Sequence, residues 1–264
     1  MLSVIQAAID AGKMIMDVYE TDFQVEYKED ESPLTIADKR AHLVIKEVLE
    51  AEYSEIPILS EEGEHLPYSE RASWKEFWLV DPLDGTKEFI KKNDEFTVNI
   101  ALIRDGKPVF GVIYAPALDM LYVGDESRGA IKIEEADGKY FTSLAEIFNT
   151  GVKLPEAGAL INKVRVVASR SHMSEETSHF IKELENSAEV ETVSAGSSLK
   201  LCLVAEGSAD YYPRFAPTME WDTGAGQAIV EAAGGKVTVA GEEKTLIYNK
   251  ENLKNPWFLA VREP

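Results

Sequence analysis

The segment Phe77-Trp78-Leu79-Val80-Asp81-Pro82-Leu83-Asp84-Gly85-Thr86-Lys87-Glu88-Phe89-Ile90 changes character at Asp81 and again at Gly85. Phe77 to Val80 is aromatic and β-branched, which suits a strand. Asp81-Pro82 is expected to stop that strand, because proline lacks the N–H a ladder needs and fixes its own φ. The turn that follows can present the Asp81 and Asp84 carboxylates and the Leu83 carbonyl to one point. Hard cations such as Mg²⁺ take oxygen ligands of these kinds. Gly85 allows close approach, and Thr86 can open a helix through Lys87-Glu88-Phe89-Ile90. The N–H groups of a helix start attract anions, so a metal seat and a phosphate seat would be adjacent. Taken alone, Asp81 to Thr86 reads equally as a turn with an aspartate cap and nothing bound.

Two further acidic points lie outside this segment. Ser60-Glu61-Glu62 follows the short apolar run Ile56 to Leu59 and can bring a carboxylate to a strand end. Trp221-Asp222 precedes a helix rich in Gly and Ala, where Asp222 is either a ligand or an N-cap. Three acidic points at strand ends and a helix start together favour a metal cage over separate caps.

The remaining pattern alternates helix and strand. Helical periodicity is expected over 2–19 and 35–53. Strands are expected over 97–103 and 109–114, joined through Arg104-Asp105-Gly106-Lys107, where Asp-Gly between apolar runs signals a hairpin. Further short strands are expected at 120–123, 130–133, 164–168, 237–239 and 258–261, and 64–76 reads as a polar excursion. Helices are expected at 174–185 with Ser174 as N-cap, at 197–206 ending at Gly207, and at 223–233 ending at Gly234-Gly235. The pattern loosens between 142 and 163. Two domains are expected: 1–155, α+β with most metal ligands, and 156–264, α/β with Asp222. The class is layered α+β and α/β, antiparallel in the first half.

Composition narrows the function. The chain has 264 residues and a formal net charge of −20. So acidic a surface repels nucleic acid polymers and anionic membrane, but a metal and a few local cations can invert the potential inside one cleft. The single cysteine, Cys202, lies in an apolar run and reads as a core residue. No stretch matches a signal peptide or a membrane span, so the cytoplasm is expected, with contact at the inner membrane surface left open.

Taken together, Ser60-Glu61-Glu62, Asp81 to Thr86 and Trp221-Asp222-Thr223-Gly224-Ala225-Gly226 resemble the signature blocks of the inositol monophosphatase superfamily. Five further blocks point to its bacterial CysQ-type 3′(2′),5′-bisphosphate nucleotidase branch. They are Trp78 to Ile90, Glu95-Phe96-Thr97-Val98-Asn99-Ile100-Ala101-Leu102, Ser169-Arg170-Ser171-His172, Gly196-Ser197-Ser198-Leu199-Lys200 and Tyr212-Pro213-Arg214-Phe215. Lys87-Glu88 also stands where inositol monophosphatases tend to carry Thr-Asn.

The resemblance implies an αβαβα sandwich and a lithium-sensitive, Mg²⁺-dependent phosphatase with two or three Mg²⁺ per site. It implies Glu61, Asp81 and the Leu83 carbonyl as ligands of a first Mg²⁺, and Asp81, Asp84 and Asp222 as those of a second. It seats the phosphate on the Gly85 and Thr86 N–H groups. Thr86 orients the attacking water, with Asp38 or Glu61 accepting its proton. Glu61, Leu83, Asp84 and Asp222 also face the substrate, and His172, Ser197, Lys200 and Arg214 contact the nucleotide. Read from the residues alone, Asp38 is equally a solvated helix residue and His172 a loop residue. Lys200 reads equally as reaching out to solvent, and Arg214 as stacking or pairing near Tyr211 and Tyr212. The implied reaction converts adenosine 3′,5′-bisphosphate to AMP and phosphate, with 3′-phosphoadenylyl sulfate as a further substrate, in sulfate assimilation. An inositol or sugar monophosphatase, or a non-catalytic binder of divalent cations, is the alternative. A monomer is expected, with a dimer left open.

Overall fold

The computed structural model describes residues 1–20, 25–27, 33–64, 66–156, 163–168 and 173–262. The first half begins with helix α1 (Leu2–Tyr19), strands β1 (Val25–Tyr27) and β2 (Pro33–Thr35) and helix α2 (Ile36–Glu52). Next come β3 (Ile58–Ser60), α3 (Tyr68–Arg71), β4 (Glu76–Asp84) and α4 (Thr86–Lys91). The meander β5 (Thr97–Arg104), β6 (Lys107–Ala115), β7 (Met120–Asp125) and β8 (Gly129–Glu134) leads to α5 (Leu144–Thr150) and β9 (Val152–Leu154). The second half runs β10 (Lys163–Val167), α6 (Glu175–Glu185), β11 (Glu189–Val193), α7 (Leu199–Glu206), β12 (Tyr211–Arg214), α8 (Gly224–Ala232), β13 (Lys236–Val239) and β14 (Phe258–Val261).

β3 to β9 form a seven-stranded sheet in sequence order, antiparallel except for the β3–β4 edge. A five-stranded sheet, ordered β11-β10-β12-β14-β13, is parallel on its β11 side and antiparallel on its β13 side. The period of two along β4 and β5 divides the core. Trp78, Val80, Val98, Ile100 and Leu102 pack beneath α1 and α2. Phe77, Leu79, Ala101 and Ile103 point the other way, into a second core shared with α7, α8 and the smaller sheet. A third, smaller core holds Val166 and Ile181 beneath α6. The layers therefore run α1/α2, seven-stranded sheet, α7/α8, five-stranded sheet, α6: the expected αβαβα sandwich.

Close packing brings α8 down onto the large sheet. A Cβ at Gly111 would lie 2.4 Å from the Ala225 carbonyl oxygen, and one at Gly124 would lie 2.6 Å from the Ile229 Cα. The two glycines let the helix backbone rest on β6 and β7, which fixes the height of Asp222 just before its start.

Most expected elements form. Asp105 and Gly106 both take positive φ, 48° and 75°, as a tight hairpin turn requires. Ser174 caps α6 by accepting from the Thr177 N–H at 3.2 Å. α5 and the strands β1, β2, β9, β11 and β12 form where no element was expected, and three further details differ. β4 does not stop at Pro82 but continues to Asp84, with a shift in register between Asp81 and Asp84 that spares Pro82 a ladder bond. Within the polar excursion, 68–71 make a turn of helix. The 197–206 helix begins only at Leu199, because Ser197 takes a φ of 50° outside the helical region. Among the described residues, no helix is long and apolar enough to cross a membrane.

Candidate active site

The site assembles at the end of β4. Asp81 is opposite Asn99 on β5, and Asp84 is opposite Thr97. Leu83 is buried among the core residues beneath α1 and α2, which anchors the bulge between the two aspartates. The Leu83 N–H donates to Asp81 Oδ1 at 3.2 Å. Gly85 then turns the chain with a φ of 89°, which a side chain would resist, and α4 starts at Thr86. The Thr86 hydroxyl donates to the Leu83 carbonyl at 3.4 Å.

Asp222 reaches the same point from the other half of the chain. It does not cap α8. Its Oδ2 instead accepts backward from the Met219 N–H at 2.9 Å, and Thr223 holds the N-cap position. One carboxylate oxygen from each of Asp81, Asp84 and Asp222 lies within 4.8 Å of the others. Glu61 leaves β3 with its N–H donating to the Val80 carbonyl at 3.1 Å, beside the end of β4. Asp38, in the first turn of α2, is buried, which excludes the solvated alternative.

These charges act on one another. Burial first, then Glu61, Asp84, Asp222 and Asp38, raise the Asp81 carboxyl well above the usual carboxylate range. Burial and Asp84 push Asp222 up to about 8, against the Met219 N–H and Arg214, which lower it. Five acidic side chains thus converge where like charge is costly, and the remedy is a cation. All the donors are hard oxygens, the set that suits Mg²⁺ rather than a soft metal. The residues present fit the metal the motif implies.

A cavity of about 570 Å³ opens from this cluster and brings Asp84, Gly85, Ser197 and Asp222 together with Lys200 and Arg214. Lys200 does not reach out to bulk solvent. Its Nζ donates to the Ser197 carbonyl at 3.0 Å, and burial holds its pKa below the ordinary lysine value against the pull of Asp84, Glu88 and Glu95. Arg214, at the end of β12, donates to the Pro217 carbonyl at 3.2 Å and keeps its place in the cavity wall. Ser197 sits before the helix, with its Oγ 2.6 Å from Asp84 Oδ2. His172 lies outside the described residues. Sequence reasoning passed over Ser198, whose Oγ lies 2.7 Å from Asp84 Oδ2 and 3.0 Å from the Asp222 carbonyl. Its only sequence signal was its place inside the Gly196 to Lys200 block.

A profile of the inositol monophosphatase family matches residues 2–260. The chain belongs to the inositol monophosphatase family. Among its relatives is the 3′(2′),5′-bisphosphate nucleotidase CysQ of Salmonella typhimurium, 46% identical over 258 residues, covering 97% of this chain and 96% of that one. The protein of the same name in Escherichia coli K12 is 44% identical, with the same coverage. The crystal structure of CysQ from Bacteroides thetaiotaomicron, described as a bacterial member of the inositol monophosphatase family, matches with a TM-score of 0.89. It is 48% identical, and the match covers 99% of this chain and 97% of that one. This member of the family thus resembles its nucleotidase relatives over nearly its whole length.

Proposed function

We propose that this chain hydrolyses the 3′-phosphate of adenosine 3′,5′-bisphosphate, giving AMP and phosphate, and that it treats 3′-phosphoadenylyl sulfate in the same way. The observation that carries this reading is the single cavity that joins the carboxylate cluster to Lys200 and Arg214. A monophosphate needs one phosphate seat. A bisphosphate needs a second, and two cations in the same cavity supply it. The names of the relatives above agree with this substrate. The reaction clears the nucleotide by-product of sulfate assimilation.

Asp81, Asp84, Asp222, Glu61 and the Leu83 carbonyl would hold two or three Mg²⁺ ions. When bound, Mg²⁺ supplies positive charge to the attacking and leaving oxygens of the displacement. The chain's own residues do the rest. The Gly85 and Thr86 N–H groups seat the reacting phosphate at the start of α4. The Thr86 hydroxyl orients the attacking water, and Glu61 or Asp38 takes its proton. A bond forms from water oxygen to phosphorus, the bond from phosphorus to the ribose 3′-oxygen breaks, and that oxygen leaves as a hydroxyl after taking up a proton. Lys200, Arg214 and Ser197, together with His172, hold the remote phosphate and the nucleoside. Residues 1–155 and 156–264 act as two domains that each contribute to this site.

A phosphate-release panel tests the reading. Adenosine 3′,5′-bisphosphate, inositol 1-phosphate and fructose 1,6-bisphosphate are each supplied with Mg²⁺, with and without Li⁺. The nucleotide should be turned over with the highest kcat/KM, and Li⁺ should inhibit. Faster turnover of inositol 1-phosphate would assign the chain to the sugar phosphatases, and no turnover of any of them would leave only cation binding.

A further inference from the structure

Thr97 and Asn99 take no part in the scheme above, although they stand in one of the blocks that mark the chain. Both are buried, with 0% and 1% of their surfaces exposed. Their neighbours Val98 and Ile100 enter the core beneath α1 and α2. Alternation sends Thr97 and Asn99 to the opposite face of β5, towards α7 and α8. A buried amide and hydroxyl in such a place need partners.

Those partners lead to the acidic cluster. The Asn99 Nδ2 donates to Ser198 Oγ at 2.8 Å. Ser198, only 4% exposed, has one proton to give. With the amide occupying one of its lone pairs, that proton goes to Asp84 Oδ2 at 2.7 Å, a charge-assisted bond, while the Asp222 carbonyl lies at 3.0 Å. A second path runs beside the first. Asn99 Oδ1 is 3.0 Å from Thr97 Oγ1, which is 2.6 Å from Ser197 Oγ, itself 2.6 Å from Asp84 Oδ2. Both paths start at Asn99 and end on the same oxygen of Asp84. They also tie the end of β4 to the segments before α7 and α8.

We propose that Asn99 and Ser198 are positioning residues for the cation site. Asn99 orients the Ser198 hydroxyl, and Ser198 fixes the plane of the Asp84 carboxylate and its offset from Asp222. The side chain directly across the sheet from Asp81 thereby sets the geometry of the other two ligands. The inference rests on reading Asp84 and Asp222 as metal ligands.

The test is Mg²⁺ binding measured by calorimetry in the absence of substrate, for the wild type, Ser198→Ala, Asn99→Ala, the double variant and Ser198→Thr. Partners of this kind hold metal affinity by about tenfold to a hundredfold. Ser198→Ala and Asn99→Ala should each weaken Mg²⁺ binding by about that factor, with the activity loss deepening as Mg²⁺ is lowered. The double variant should lose less affinity than the two single losses combined, because the two residues share the path from Asn99 through Ser198 to Asp84. Ser198→Thr keeps the hydroxyl and should recover most of the affinity. Unfolding in EDTA, followed by circular dichroism, reports any loss of stability separately. Mg²⁺ affinity within about twofold of the wild type in both single variants, whatever their stability, would overturn the inference and leave the proposed function standing. A wild type that binds no Mg²⁺ would overturn both.

Discussion

Lys200 is a half-buried cation in a wall that also carries Asp84, Glu88 and Glu95. Without an anionic ligand, burial opposes its charge and the carboxylates support it. Arg214 shares the wall and works against the Lys200 charge. Two cations held side by side suit a ligand that brings negative charge of its own. Lys200→Ala or Arg214→Ala should therefore lower kcat/KM for adenosine 3′,5′-bisphosphate by about tenfold to a hundredfold, the worth of one hydrogen bond to a charged group. Hydrolysis of a simple monophosphate should fall much less. Equal losses on both substrates would show that neither residue meets the second phosphate. At this scale the acidic positions were legible in the sequence, because carboxylates at strand ends and before a helix are local features. Ser198 and Asn99 were not. Their roles arise from contacts across 99 positions of chain, and nothing local separates such a serine from any other hydroxyl in a loop.

Among the elements, the legible ones were those with a strong local signal. α1 shows it in Ile5, Ile9 and Ile15, and the Asp105-Gly106 turn shows it in two positive φ angles. Two of the strands that escaped notice are ones where local chemistry opposes the fold. β12 contains Pro213, tolerated because among the described residues β10 pairs with β12 only at Tyr211 and the missing N–H interrupts no parallel ladder there. β11, Glu189-Val190-Glu191-Thr192-Val193, lacks strict alternation and carries two glutamates at the sheet edge, where charge is a protection rather than a fault. Packing of α8 makes a sharper prediction. Gly111→Ala and Gly124→Ala each force a Cβ into helix backbone, which cannot swing aside as a side chain would. Each should cost about 1–3 kcal/mol, as overpacked sites do. Because the displaced helix follows Asp222 directly, the Mg²⁺ needed for half-maximal activity should rise as well. Thermal unfolding and Mg²⁺ titration of the same variants separate the two effects, and a stable variant with unchanged Mg²⁺ demand would refute the coupling.

Across the whole molecule, a net charge of −20 leaves little to offset the repulsion concentrated where the two halves of the chain meet. The sign of the resulting pH dependence follows from Asp222. Its carboxyl is pushed up to about 8 in the folded protein by burial and by Asp84, from an ordinary value of 3.8. Asp81 is raised in the same direction by burial and by its acidic neighbours. Between those two values the folded chain holds protons that the unfolded chain has lost, so stability falls as pH rises. In EDTA the thermal midpoint should therefore decline from about pH 4 to pH 8 on account of these groups. Bound Mg²⁺ replaces the protons, and its affinity should rise over the same range as they leave. Mg²⁺ at about a hundred times its Kd adds about 2.7 kcal/mol. The stabilisation it brings should accordingly be larger at pH 8 than at pH 5, and the decline seen in EDTA should flatten. A midpoint that rises with pH in EDTA, or a Mg²⁺ effect that is greater at pH 5, would mean that the clustered carboxylates do not share one cation site.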